Sequence, residues 1–312
     1  MKNGLNIAFT IDDDYVCHFT IALTSLLENN PNNIQRVFVV HSIKDNKLLQ
    51  KNLDFFKDKY SQNVEQIYID DKQLISLPVK SYISTASYYR LMLSDLLPSN
   101  IDKVLYLDCD IIVNGDLSKL LDLHFSQQIE TSDEYISNNN LSDIDYYLYA
   151  VDQEYHMESF SRLDKAKFTG EKYFNAGVLY INLKKWRANN VTEKLLENAT
   201  KYKTILESQD QDVLNITFEN FWGELSYTYN AWKHDKNAIE KNGLSVNEIK
   251  IIHYIGPIKP WHIQCKHPYK KVYRKYFNKT PYKFQYVNFT ILNILKSIIP
   301  YKLKTVITKN IK

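Results

Sequence analysis

Glycine is scarce in this chain. Only seven occur in 312 residues, none of them between Gly4 and Gly115, whereas globular proteins carry about 7%. A G-x-G-x-x-G turn or a G-x-x-x-x-G-K-[ST] loop needs glycine where the backbone closes on a phosphate. The N-terminal third holds neither, which excludes dinucleotide oxidoreductases and P-loop nucleotidases. Cysteine is sparse too. Cys17, Cys109 and Cys265 are odd in number, widely spaced and outside any C-x-x-C pattern, which argues against a disulfide framework or a structural zinc site. No apolar stretch reaches the roughly 18 residues of a spanning helix. The N-terminus runs from a short apolar segment into Asp12, Asp13 and Asp14, unlike a secretory signal, so the chain reads as cytoplasmic.

Acids are missing from the C-terminal end, where the last is Glu248. Of the 39 Lys and Arg, 13 lie at or beyond Lys259, so residues 1–258 carry 26 bases against all 36 acids. The formal net charge of +3 thus joins a negative body to a positive, aromatic-rich segment. Such asymmetry marks a surface-binding segment. A nucleic-acid partner is disfavoured, because phosphate-backbone binding calls for a basic face on the folded body.

What is present reads as a globular α/β chain. Apolar runs at Leu5–Ile11, Arg36–His41, Val64–Ile69 and Val104–Leu107 predict strands. Helical spacing appears from Val16 to Leu27, from Leu48 to Tyr60 and over Tyr88–Leu97. Alternating strands and helices imply βαβ units and a mostly parallel sheet, with ligands gathered beyond the strand C-termini. A second half carries a strand at Val178–Asn182, a helix at Thr192–Tyr202 and a strand at Ile249–Tyr254. Residues 126–147 are acidic without Lys or Arg, and are either a mobile lid or a solvated insertion. An amphipathic piece falls at Val287–Ile299.

Two carboxylates, Asp108 and Asp110, interrupt the apolar run Val104–Val113. Burying unpaired carboxylates costs several kcal/mol each, so they belong at a strand end facing a cation. In extended chain, residues i and i+2 point the same way, and oxygen ligands favour Mg²⁺ or Mn²⁺. His253 closes an apolar run before Gly256-Pro257, with Lys259 six residues on. It is either a satisfied core histidine or a third ligand, and an imidazole tilts the preference to Mn²⁺. Lys259 can neutralise a phosphate as a point charge, and Gly256 permits close backbone approach. Arg90, after two tyrosines in an apolar helix, either pairs with a carboxylate such as Asp108 or lies on the surface. Asp210, Gln211 and Asp212 are either sugar-binding groups or the acidic start of a helix. A metal on Asp108, Asp110 and His253, with Lys259, is a means of binding a nucleotide diphosphate without a glycine-rich loop.

These segments, with Tyr173-Phe-Asn-Ala-Gly-Val178, Ile181-Asn-Leu-Lys-Lys-Trp186 and His253-Tyr-Ile-Gly-Pro-Ile-Lys-Pro-Trp-His262, resemble glycosyltransferase family 8. The likeness is strongest to bacterial lipopolysaccharide and lipooligosaccharide α-galactosyl- and α-glucosyltransferases, and covers roughly residues 5–265. It implies a GT-A fold over residues 1–260, with a mixed Rossmann-like sheet flanked by helices. Residues 261–312 would be a basic helical tail. It also implies a UDP-galactose or UDP-glucose donor, Mn²⁺ or Mg²⁺, and a retaining transfer to a glycolipid acceptor. Asp108, Asp110 and His253 match the metal ligands. Asp12, Asp14 and Tyr15 fall at the nucleoside, with Cys109 beside them, and Gly256 and Lys259 at the diphosphate. Arg90, Asp108, Asn175, Asp210 and Gln211 match positions around the donor hexose. Asp152 matches an acid near the acceptor, and Gln211 the group beneath the anomeric carbon. The same fold also serves transferases acting on a protein or on themselves, and non-catalytic glycan or nucleotide binders. The tail fits attachment to the anionic inner face of the cytoplasmic membrane, or docking on the acidic body.

Overall fold

Leu5–Ile11, apolar except for Asn6 and Thr10, forms β1, a buried strand of a computed structural model that describes residues 4–79, 84–128, 143–153, 163–232, 244–262 and 264–283. Further strands are β2 (Ile34–His41), β3 (Val64–Tyr68), β4 (Lys103–Leu107), β5 (Ile111–Val113), β6 (Ser126–Gln128), β7 (Asp143–Asp145), β8 (Leu148–Asp152), β9 (Phe174–Asn182), β10 (Trp222–Glu224) and β11 (Ile251–His253). Seven of them make one sheet in the order β10-β8-β9-β4-β1-β2-β3. Helices Val16–Asn29 and Lys47–Tyr60 follow β1 and β2 as crossovers and keep β1, β2, β3 and β4 parallel.

The sheet is mostly parallel, as the alternating pattern implies, and one strand makes it mixed: β9 runs antiparallel to both β4 and β8. This reversal builds the site. It puts the start of β9, Phe174–Ala176, at the same edge as the C-terminal ends of β1 and β4. The cluster around Asn175 is therefore inside a nine-residue strand, not ahead of it. A two-stranded ribbon of β5 and β11 stands beside that edge.

The helix expected over Tyr88–Leu97 is instead a 3-10 helix at Thr85–Met92, followed by a single α-turn at Leu93–Leu96. Every residue from Ala86 to Met92 is buried, so the segment has no solvent face. Packing from all sides, rather than an amphipathic stripe, fixes its tighter winding. In the 126–147 segment, β6 pairs with β7; residues 129–142 lie outside the described residues, and so does the lid-or-insertion question.

Val16–Asn29 buries Val16 through Leu27 without interruption, which requires cover on its outer side. The cover is the first part of the basic segment. Helix Lys270–Phe277 places Tyr273, Tyr276 and Phe277 in the core. Tyr273 hydroxyl meets His18 Nδ1 at 2.9 Å, and the hydroxyls of Tyr276 and Tyr282 accept from Asn29 (2.7 Å) and Asn52 (2.8 Å). Lys279 pairs with Glu28, while Lys271, Arg274 and Lys275 stay exposed. Residues 284–312, with the Val287–Ile299 stretch, lie outside the described residues. Among those described, no helix is long and apolar enough to cross a membrane.

Candidate active site

Asp108 leaves the end of β4, its N–H donating to Gly177 carbonyl on β9 at 2.9 Å. The chain then turns through Cys109 and Asp110 into β5. The two carboxylates thus converge through a turn, not along an extended strand as the i, i+2 spacing suggests. His253 ends β11 opposite Ile111, and Tyr254 N–H donates to Asp110 carbonyl at 3.0 Å. His253 Nε2 lies 3.2 Å from Asp110 Oδ1 and 3.9 Å from Asp108 Oδ2. One donor atom from each of the three residues lies within 4.8 Å of the others. Two hard carboxylate oxygens and one imidazole nitrogen fit Mg²⁺ or Mn²⁺, with the nitrogen favouring Mn²⁺.

Gly177 makes room for the ring. A Cβ there would stand 2.2 Å from His253 Cε1 and 2.9 Å from Asp108 Oδ2. Cys109 is buried, its Sγ 3.8 Å from Thr10 carbonyl, and burial pushes the thiol well up, so it stays neutral.

Arg90 is a buried cation, not a surface residue. One guanidinium nitrogen lies 2.8 Å from Asp108 Oδ1 and another 3.0 Å from Asp210 Oδ2. It also donates to Ala176 carbonyl at 2.7 Å and stacks over Tyr106, whose hydroxyl donates to Asp108 Oδ1 at 2.7 Å. Burial alone would lower the Arg90 pKa; Asp108 and Asp210 reverse that and raise it. Burial lifts Asp210 to about 6, with the Asp108 charge adding to the rise and Arg90 opposing it. Burial would likewise lift Asp110, but Lys259 and His253 outweigh it and hold that carboxyl well below its ordinary value. Lys259 pairs with Asp110 and donates to Tyr254 carbonyl at 2.8 Å.

Asp210 and Gln211 open helix Asp210–Phe218, and Asp212 stands in the same first turn. Both readings of this cluster hold, divided among its members. Asp212 is structural: it accepts from the N–H groups of Glu207 (2.7 Å) and Ser208 (2.8 Å) and from Tyr173 hydroxyl (2.5 Å). Asp210 and Gln211 face the cleft. The turn that aims them passes through Gln209 at φ +50°, a strained conformation for a residue with a side chain. Gln211 Oε1 accepts from Ala176 N–H at 3.0 Å, and its Nε2 donates to Gln153 Oε1 at 2.9 Å and Tyr173 hydroxyl at 3.2 Å. Asn175 Nδ2 donates to the same Gln153 oxygen at 3.2 Å.

The cleft encloses about 310 Å³. Asp12, Tyr15, Cys109, Gly256, Lys259, Arg90, Asn175, Asp210 and Gln211 line it together with the metal-ligand set. Gly256 takes φ +82° with open space around it, so its backbone angle is what calls for glycine. Asp14 is exposed and Asp152 is half-buried, and neither lines the cleft. Side chains alternate along a strand, and Gln153 lines it in place of Asp152. Sequence reasoning missed Gln153, Tyr173 and Ser84. The last donates to Asp12, whose carboxyl burial raises despite that bond.

The cleft therefore joins a cation-seeking triad, a buried lysine, and a group of amides and paired carboxylates, a set suited to a polyhydroxylated diphosphate. Comparisons agree. The chain is 30% identical to a lipopolysaccharide 1,2-glucosyltransferase of Escherichia coli over 290 residues, spanning 90% of this chain and 80% of that one. It is 27% identical to a lipopolysaccharide 1,3-galactosyltransferase of Salmonella typhimurium, spanning 89% and 79%. The fold superposes on the crystal structure of the galactosyltransferase LgtC in complex with donor and acceptor sugar analogs. The TM-score is 0.71 at 24% identity, over 96% of this chain and 99% of LgtC. Residues 6–265 match the sequence profile of glycosyl transferase family 8: the chain belongs to that family and has the GT-A fold.

Proposed function

We propose that this glycosyltransferase moves galactose or glucose from a UDP-sugar to a lipopolysaccharide or lipooligosaccharide acceptor. The transfer depends on a divalent ion and retains the anomeric configuration. The observation that carries this reading is the convergence of Asp108, Asp110, His253 and Lys259 in one cleft of a chain without a phosphate loop. The names of its relatives support the sugar and the acceptor class.

Asp108, Asp110 and His253 would hold Mn²⁺ or Mg²⁺, which supplies charge stabilisation to the departing diphosphate. Lys259 neutralises phosphate, and Gly256 exposes backbone for it to approach. Asp12 and Tyr15 hold the nucleoside beside Cys109; the exposed Asp14 reaches it only from outside the cleft. Arg90, Asn175 and Asp210 orient the hexose hydroxyls, with Arg90 bridging Asp108 and Asp210. The Gln211 amide is held on both ends by Ala176, Gln153 and Tyr173. A neutral amide is a weak nucleophile, so Gln211 steadies the positive charge developing at the anomeric carbon. The acceptor hydroxyl then attacks on the face the diphosphate leaves. The new carbon–oxygen bond forms as the bond to phosphate breaks, and the proton passes to the leaving phosphate oxygen. Asp152, half-buried and outside the cleft lining, would act on the acceptor side.

The test is transfer from UDP-galactose and UDP-glucose to truncated lipooligosaccharide, with the new linkage read by NMR. An α-linked product is expected. A β-linkage would refute retention, and the absence of both UDP release and sugar incorporation would favour a protein that binds glycans or nucleotides without catalysis. Residues beyond Lys283, which carry five Lys or Arg and no acid, would hold the enzyme on anionic lipid at the inner face of the cytoplasmic membrane. Truncation after Lys283 leaves the docked Lys270–Phe277 helix intact and should abolish sedimentation with anionic vesicles; unchanged sedimentation would refute that role.

A further inference from the structure

Asn230 is fully buried beside His253, and no charge or motif draws attention to it. Its place is set by backbone bonds on both sides of the pair. Ala231 N–H donates to Ile251 carbonyl, and His253 N–H donates to Ala231 carbonyl, each at 2.9 Å. Asn230 Oδ1 then lies 2.9 Å from His253 Nδ1, and its Nδ2 lies 2.8 Å from Asn175 Oδ1.

The direction of each bond follows from a group that can only donate. Gly177 N–H donates to the Asn175 side chain at 2.9 Å, so that atom is the amide oxygen and the Asn175 NH₂ faces Gln153. An oxygen that accepts from Gly177 can accept from Asn230 but cannot donate to it. The Asn230 NH₂ therefore points to Asn175, and its carbonyl oxygen points to His253. A carbonyl only accepts, so His253 Nδ1 must carry a hydrogen. In the neutral ring the lone pair is then left on Nε2, the nitrogen facing Asp110 and Asp108.

We infer that Asn230 is a positioning residue for the metal site: through its carbonyl it fixes the Nδ1–H tautomer and the ring orientation of His253, so that Nε2 is presented to a divalent ion. This rests on the proposed metal dependence and extends it to a residue outside the ligand set. Metal-bound histidines usually donate their second N–H to such an acceptor, and losing it lowers metal affinity by about 10–100-fold. Asn175 serves two ends of the site, since its oxygen orients Asn230 while its NH₂ shares the Gln153 acceptor with Gln211.

The experiment is a Mn²⁺ titration of the full-length protein without nucleotide, read by the EPR signal of free Mn²⁺, with folding checked by circular dichroism. Asn230→Ala should bind Mn²⁺ about 10–100-fold more weakly than wild type, and Asn230→Asp, which keeps an acceptor for Nδ1–H, should stay within about threefold. Wild-type affinity in Asn230→Ala, or a loss in folded Asn230→Asp as large as in Asn230→Ala, would overturn the inference. Absence of Mn²⁺ binding by the wild type would instead overturn the metal reading. The tautomer is tested separately by ¹⁵N NMR of histidine-labelled, metal-free wild type, which needs no variant to fold. His253 Nδ1 should be protonated; a bare Nδ1 would overturn the inference.

Discussion

Gly177→Ala is the smallest change that should disable the metal site. The backbone of Gly177 lies outside the left-handed region, where alone a side chain would strain it, so the difficulty is one of space. The added methyl would stand 2.2 Å from His253 Cε1, 2.8 Å from Nδ1 and 2.9 Å from Asp108 Oδ2. Carbon atoms in contact sit about 3.5–4 Å apart, so the ring would have to retreat by more than about 1 Å. It has little room to do so, since Nδ1 is tied to Asn230 and both His253 and Asn230 are buried. Metal–ligand distances tolerate only about 0.2 Å. Overpacking of this kind costs about 1–3 kcal/mol of stability. Displacing a ligand or a reacting group by about 1 Å costs on the order of 100-fold in rate. The variant should remain folded with a lowered Tm, bind Mn²⁺ at least tenfold more weakly, and lose about 100-fold in kcat/KM. Mn²⁺ titration and UDP-release assays on the same preparation measure both losses. A folded Gly177→Ala protein with wild-type Mn²⁺ affinity and turnover would refute the placement of His253 against Gly177.

Gln211→Ala should lower kcat by about 100-fold or more while UDP affinity changes little; an unchanged turnover number would remove Gln211 from the chemistry. Arg90→Ala leaves Asp108 and Asp210 buried without their shared cation and should destabilise the protein by about 3–5 kcal/mol; urea unfolding with a loss under 1 kcal/mol would contradict that pairing. Because the folded-state pKa of Asp210 is raised from 3.8 to about 6 by burial, its neutral form contributes stability at low pH that is lost as pH rises through 6. Asp210→Asn should therefore gain Tm relative to wild type at pH 8 and not near pH 4, and an equal difference at both would contradict the sign.

Strands β1, β2 and β4 were legible in the sequence, because burial leaves each a continuous apolar run, whereas β8, also inside the sheet, was not legible as a strand. The 3-10 segment Thr85–Met92 was not, since winding there follows from contacts on every side rather than from a repeating pattern. Asp108, Asp110 and His253 stood out because a charge or an imidazole at the end of an apolar run needs a partner. Arg90 could not be resolved from sequence alone, its two carboxylates lying 18 and 120 positions away. Gln153 and Asn230 carry no charge and meet their partners 58 and 23 residues distant. Neutral amides leave no mark in composition or periodicity, and their roles arise only when β9 reverses and brings Asn175 to the edge shared with β1 and β4. The basic segment beginning at Lys259 divides in the fold: its charges flag a surface element, but its tyrosines dock the first part on Val16–Asn29.

The central claim is a metal-dependent cleavage of UDP-hexose at the Asp108–Asp110–His253 site. It is tested most directly by measuring UDP release from UDP-galactose and UDP-glucose by the full-length protein with excess EDTA and after Mn²⁺ is restored, alongside Asp110→Asn. Turnover of at least one donor that vanishes with EDTA, returns with Mn²⁺ and is absent in Asp110→Asn is the predicted result. Cleavage that persists undiminished in EDTA, or that survives in Asp110→Asn, would contradict it.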